Sequence, residues 1–346
     1  MSIKFSVGYN INHSDELVDF IVKNKNHIYE MYFSFFDFPN GRNMPQNDNP
    51  YETHFYYQKQ IEHLKILSDN NISLNLLLNG NCYGKDSLSR AFFNKIGNTV
   101  DYLKEEFNLS SVTTTSPVIA KFIKENFDDV KTRASVNMEI GTIEGMEYIA
   151  NVFDGYYLKR EFNRDFEKIK TAKKWCDENN KQLFMLANSG CLNNCSAHNF
   201  HDNLVAHEVE ISKMDNAYLF EGICHSFLKD DKNKYSIIAR TSFIRPEDLH
   251  VFDGYFESFK IATRVNKNPV NVLKAYINKS YRGAVTDILE PSHSDILYPY
   301  VIENKNIDEN FLNTVLNCKK NCHECNYCKK IYENSLVKLE GGVFEC

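Results

Sequence analysis

Eight times along the chain an extended apolar run gives way to a stretch with helical spacing of its apolar residues. The runs cover residues 4–9, 29–35, 73–78, 111–115, 132–137, 156–159, 183–187 and 258–262. Short apolar runs bounded by Gly, Asn and Pro read as buried strands, and the 3.6-residue period between them as helices. Ser14 stands as an N-cap before Asp15 and Glu16, and Ser116-Pro117 is a cap followed by a first-turn proline. The pattern predicts helices over 14–23, 51–69, 87–107, 117–126, 165–178 and 269–281, and another after Gly141 as far as residue 152. Eight alternating units predict a (β/α)8 TIM-like barrel rather than an open doubly wound sheet. No Gly-x-Gly-x-x-Gly turn follows the first strand, which further weakens a dinucleotide fold. The rhythm stops past residue 283. Residues 1–285 are expected to form the barrel and 286–346 a small cysteine-rich C-terminal extension.

Of the 346 residues 42% are hydrophobic, enough for a large core, and barrels of about 250 residues are common as one unit. The net charge is −6 with Lys and Arg scattered, so no basic block advertises nucleic-acid binding, and RNA remains only as a local patch. The N-terminus, MSIKFSVGYNINHSDEL, lacks the apolar centre of a signal peptide, and no run reaches the ~18–20 apolar residues of a membrane span. A cytoplasmic location is expected. There, ten cysteines argue for metal or redox work rather than a disulfide frame.

The cysteines fall into two groups of four, with Cys176 and Cys346 left over. Cys191 and Cys195 follow the seventh run directly after Asn188-Ser189-Gly190. Cys82 stands at the end of the third run and Cys224 in the long insertion before the eighth. Active sites of such barrels sit at the C-terminal ends of the strands, so at least three of these thiols are expected over one mouth. Thiolates select zinc or iron–sulfur clusters, and four of them could hold a 4Fe-4S cluster. The bland reading makes Cys82 and Cys224 small buried hydrophobes. Cys318, Cys322, Cys325 and Cys328 lie within eleven residues of polar sequence, a strong metal signal for zinc or a second iron–sulfur cluster. Their first three match the C-x3-C-x2-C spacing of radical SAM enzymes. They lie beyond the eighth strand, however, with no barrel left to bind a nucleosyl cofactor, so that chemistry is rejected.

Charged residues join them. Arg42, Arg160, Arg245 and Arg264 fall in loops or at strand ends of the same mouth, where guanidinium forks suit a small anionic substrate or co-substrate. Glu30 and Glu139 are candidates for proton transfer or for pairing with an arginine. His198, His201 and His207 follow the thiol pair but share no single helix face, and His201 with Asp202 ranks first among them. The arrangement is not His-Glu-x-x-His, so no zinc-protease helix is indicated.

At Phe259-Lys260-Ile261-Ala262-Thr263-Arg264, followed by Pro269, Leu273 and Tyr281-Arg282, the chain resembles the peptidase U32 family, whose members carry a Lys-Ile-x-x-Arg strand and then a helix ending in Tyr-Arg. Phe243-Ile244-Arg245-Pro246-Glu247-Asp248-Leu249 and the strand–Gly–Cys-x3-Cys region at Cys191 and Cys195 are similar to it too. The resemblance spans about residues 1–285, with its specific motifs between 183 and 282, and falls on Arg264. It implies collagenase-like peptidase activity for a few members and, for the better understood relatives UbiU and UbiV, a 4Fe-4S cluster supporting oxygen-independent hydroxylation of quinone precursors. Other relatives act on RNA bases. The usual Glu-Gly-Arg after Lys-Ile is Ala262-Thr263-Arg264 here, and the usual His-Gly-Ala before the first Cys is Ala187-Asn188-Ser189-Gly190. The Cys spacing fits the UbiV-like branch better than the other.

Three function classes follow. The first is an iron–sulfur protein, enzyme or enzyme subunit, supporting an oxygen-independent hydroxylation or related redox reaction with a protein partner or electron donor. The second is a U32-type peptidase, against which stand the missing Gly-x-Ser-x-Gly elbow and zinc helix and a Cys nucleophile with no paired His singled out by the sequence. The third is a metal-stabilised RNA- or partner-binding module, which the acidic net charge weakens.

Overall fold

The computed structural model of the chain describes residues 3–35, 38–41 and 50–339. Eight parallel strands hydrogen-bond in chain order: β1 (Phe5–Gly8), β2 (Ile28–Phe33), β3 (Ser73–Leu78), β4 (Leu109–Thr114), β5 (Lys131–Ala134), β6 (Gly155–Tyr157), β7 (Gln182–Leu186) and β8 (Ser258–Ile261). β8 pairs back onto β1, with Phe259 opposite Phe5, and closes the barrel. The eight predicted runs are these strands, with ends that differ by at most three residues and a third run that coincides with β3.

Side chains alternate between the two faces of each strand, and the two faces are filled differently. Outside, Phe5, Val7, Met31, Phe33, Leu74, Leu76, Met185 and Ile261 join Leu17, Ile21, Val100 and Ile123 of the surrounding helices in one apolar cluster. Inside, the barrel is largely polar. Glu30 is fully buried and its carboxylate accepts from Arg133 (2.5 and 2.6 Å), Asn75 (2.9 Å), Ser6 (3.1 Å) and Ser111 (3.5 Å). Five neighbouring strands thus share one ion pair. Glu30 is a structural group, not one that carries protons at the mouth.

Local chemistry sets the ends of elements. The fifth strand stops at Ala134, not at 137, because Ser135 accepts from the Asn137 amide (3.2 Å) and turns the chain. Glu139 follows in the left-handed region (φ 51). The helix after Gly141 is only Ile143–Glu147, and the third-unit helix begins at Arg90 because Ser89 is its N-cap, accepting from Phe92 N at 3.1 Å.

The insertion between β7 and β8 holds four short helices, His198–Ala206, Glu208–Ser212, Ile223–Leu228 and Ser236–Ala239. The extension adds an antiparallel pair, β9 (Tyr300–Ile302) and β10 (Leu336–Lys338), and helices Phe311–Leu316 and Tyr327–Ser335. Its Phe311, Leu312, Val315, Ile331 and Tyr332 belong to the same apolar cluster as the barrel. Among the described residues no helix is long and apolar enough to cross a membrane.

Candidate active site at the barrel mouth

The turn after β7 is fixed by one amide. Asn188 donates to Ala262 O and Ile288 O (2.9 Å each) and accepts from Ala262 N (2.7 Å), tying β7 to β8 and to the start of the extension. Gly190 follows, and its N–H donates to Glu290 O at 3.0 Å. A Cβ on Gly190 would lie 2.0 Å from the Pro291 carbonyl oxygen, so only glycine admits that close approach. This packing aims Cys191 and Cys195 at a cavity of about 360 Å³ over the strand ends. Its walls come from three places: the strand ends (Lys260, Ala262, Arg264), the insertion (Cys191, Cys195, His198, His201, Asp202, Cys224, His225) and the extension (Glu290 to His293, Asp295). The extension is part of the mouth, a role its polar sequence does not advertise.

Cys191, Cys195 and Cys224 all line this cavity although 224 lies far along the insertion. Gly222, at φ +88, turns the chain so that Cys224 enters the cavity. Burial, and then the neighbouring Cys191 and Cys195, raise the Cys224 thiol above its ordinary pKa. Arg160 donates toward the Cys191 sulfur (3.8 Å) and to His198 Nε2 (2.5 Å). Since a guanidinium only donates, Nε2 accepts and Nδ1 carries the proton toward its partner, the Glu139 carboxylate. Asp202 lies 3.4 Å from the same imidazole and accepts from Asn81 at 3.4 Å. His198, which ranked below His201 on sequence, is the centre of this network; His201 lines the cavity with its ring tilted against that of Phe220, centroids 5.4 Å apart.

Arg264 also lines the cavity, donating to Ser34 Oγ (2.9 Å) and Asn40 Oδ1 (3.3 Å). Beside it Lys260 is 6% exposed, its ammonium over the rings of Tyr32 (4.1 Å) and Tyr157 (5.0 Å). Burial first, and then the charge of Arg264, push its pKa down to about 7. Sequence reading assigned Lys260 no role, because a lysine in a strand motif looks the same whether its amine is wet or dry.

Other expected residues lie elsewhere. Arg245 is buried and spends its guanidinium on Asp248 (2.7 and 3.1 Å) and on the carbonyls of Ile307 and Asp308, so it holds the extension to the barrel and binds nothing at the mouth. Arg42 lies outside the described residues. Cys82 does not line the cavity. Its thiol faces His207, and that hydrogen bond, then the Gly84 N–H (3.4 Å), hold its pKa below the ordinary thiol value. His207 is raised in turn, by Cys82 first and then by Glu210, whose Oε2 is 2.6 Å from Nδ1. Cys176 is fully buried in the apolar cluster and burial pushes it up to about 12, as suits a core thiol.

The tail cysteines line a second cavity, of about 300 Å³, together with Ala239 of the insertion and Thr314, Val315 and Tyr327 of the extension. Cys322 is directed at Ala239 O (3.8 Å), and Cys328 packs on the apolar cluster. Among the described residues no group of three or more His, Cys, Asp or Glu side chains is placed to hold a metal ion.

No family model matches the chain. The chain is similar to a protein of Methanocaldococcus jannaschii named an uncharacterized protease, 24% identical over 284 residues and 80% of each chain. Among solved structures, the U32 peptidase Mk0906 gives a TM-score of 0.49 at 15% identity, covering 63% of this chain and 81% of that one. A GH113 β-1,4-mannanase gives 0.39 at 9% identity, covering 75% and 88%. The relative's name agrees with the resemblance to U32 peptidases carried by residues 183–282.

Proposed function

We propose that this is a U32-type barrel protein whose mouth holds an iron–sulfur cluster and supports an oxygen-independent hydroxylation or related redox reaction on a small anionic substrate, in the manner of UbiU and UbiV. The observation that carries the reading is that Cys191, Cys195 and Cys224 line one cavity together with Arg160, Lys260 and Arg264. Hydrolysis needs one thiol. Three soft donors at one place, with a guanidinium directed at Cys191, suit a thiolate-bound iron cluster. Cys191, Cys195 and Cys224 would hold it, and the fourth corner falls to a cavity group or to solvent while Cys82 stays on His207. Such a cluster supplies one-electron redox chemistry beside the bound substrate.

The chain's own groups do the rest. Arg264 and Arg160 are the forks for an anionic group. Lys260, whose pKa burial pushes down to about 7, can accept a proton at Nζ. His198, oriented by Glu139, is the second proton carrier, and the Glu290–His293 wall and Cys224 line the same cavity.

A second reading, thiol peptidase, is favoured by Cys82, His207 and Glu210, a nucleophile, a base and an orienting carboxylate in series. Their spacing along the chain hides the set from a sequence reader. One set of variants separates the two. Protein purified without oxygen should be brown and contain iron and sulfide. Cys191→Ala and Cys195→Ala should each lose the mouth's share, Cys318→Ala only the tail's, and Cys82→Ala neither. Equal iron loss in the first three would show that the thiols are divided wrongly. Casein cleavage that survives Cys191→Ala but is lost in Cys82→Ala would replace the redox reading with the peptidase.

A further inference from the structure

One polar group at the mouth is left without a polar partner. Among the described residues Lys260 is the only lysine that lines the cavity, and it makes neither a hydrogen bond nor an ion pair although more than nine-tenths of it is buried. Its ammonium lies instead over the rings of Tyr32 (4.1 Å) and Tyr157 (5.0 Å). The backbone beneath it is fixed on both sides. Lys260 pairs with Ser6 on β1 and Leu186 on β7, and its carbonyl accepts from Ala187 N at 2.9 Å. Tyr32 is fixed as well, since its hydroxyl donates to Ile261 O at 2.9 Å. A buried ammonium without a counter-ion is costly, and contact with aromatic rings offsets only part of that cost. Shedding the proton removes the rest. Burial and the charge of Arg264 act in that direction, which makes the neutral amine available near pH 7. The barrel thus holds an unpartnered amine on a rigid strand, packed on two rings and facing the cavity.

We propose that Lys260 is a nucleophile that forms an imine with the carbonyl group of a small α-keto acid bound at the mouth. Lysine amines act in this way when they are desolvated or stand beside another cation, and both conditions hold here. The Nζ lone pair adds to the carbonyl carbon, and both amine protons leave with the carbonyl oxygen as one water molecule. A C=N bond replaces the C=O bond, with no oxidant or reductant consumed. Once protonated, the imine draws electrons from the neighbouring carbon, so that a C–H or C–C bond there can break with its electron pair held toward nitrogen. Water then reverses the condensation and returns the amine. The cavity of about 360 Å³ has room for a compound of this size, and Arg264 on the same wall supplies positive charge for the carboxylate. That last assignment rests on the anionic substrate proposed above, whereas the imine itself does not. A lysine serving only as a fixed cation would bind the same carboxylate and form no bond to it.

The full chain is incubated with pyruvate near pH 7 and treated with borohydride, which reduces an imine to a stable secondary amine. Proteolysis and mass spectrometry then locate the adduct. Lys260 should be the main labelled position, although most other lysines are far better exposed. Lys260→Met and Lys260→Arg should both lose that adduct, the arginine variant while keeping the positive charge. Labelling spread over surface lysines with none at Lys260 would overturn the proposal, and this result is read on the wild-type chain even if neither variant folds. Acetone serves as the uncharged carbonyl probe. Arg264→Gln should lower labelling by pyruvate several-fold and leave labelling by acetone near the wild-type level. An equal response to both probes would remove the carboxylate from the proposal. The adduct needs no iron, so its presence and the iron content of the same preparation are separate readings, and either reading can fail without the other.

Discussion

Lys260 shows how one residue's chemistry depends on where its side chain ends. Its pKa of about 7 in the fold lies well below the ordinary 10.5, because the ammonium is out of water and next to Arg264. Below about pH 7 the folded and unfolded chains both carry the charge, and the penalty of burying it is fully present. Between 7 and 10.5 the unfolded chain binds a proton that the folded chain does not, so this group makes stability rise with pH across that window. At about 1.4 kcal/mol for each pH unit, the rise amounts to a few kcal/mol. Lys260→Met should therefore be more stable than wild type at pH 6 and lose that advantage by pH 10, read from urea midpoints across the range. Parallel profiles for the two proteins would show that the amine is hydrated. The sequence names Lys260 within its strand motif, but a motif does not say whether an amine is dry.

At the scale of elements, the strands are held in register by their inner face as well as their outer one. Ser6, Glu30, Asn75, Ser111 and Arg133 come from five consecutive strands and converge on one carboxylate. Glu30→Gln would leave the Arg133 guanidinium buried without its partner, and should lower stability by about 3–5 kcal/mol. Pairing it with Arg133→Met removes the stranded charge and should recover part of that loss. Denaturant unfolding of both variants checks this, and a double variant as unstable as the sum of the two single changes would contradict it. Strand positions were legible because apolar runs and Gly, Asn or Pro boundaries are local signals. The inner ion pair was not, since Glu30 and Arg133 are distant in sequence and either could as well face solvent.

For the whole molecule, the expected division at residue 285 meets a structure in which the far side of that line builds the mouth. Glu290 bridges to Ser189 and accepts from Gly190, His225 faces Asp295 at 3.9 Å, and Phe311 and Val315 complete the main apolar cluster. A chain ending at residue 285 should accordingly fail to fold cooperatively, with a broad, weak thermal transition and exposed apolar surface by dye binding. A sharp, wild-type-like transition would restore the extension as an appended module. The amino-acid sequence by itself determined the eightfold alternation, the closed-barrel class and the two sets of cysteines, because period, turn residues and close thiol spacing act over a few neighbouring positions. Tertiary structure alone decided which thiols share a cavity, that Cys82 turns to His207 and that Arg245 is spent on Asp248. Those outcomes depend on which distant side chains chain closure brings within a few ångströms, and on how much water is left between them.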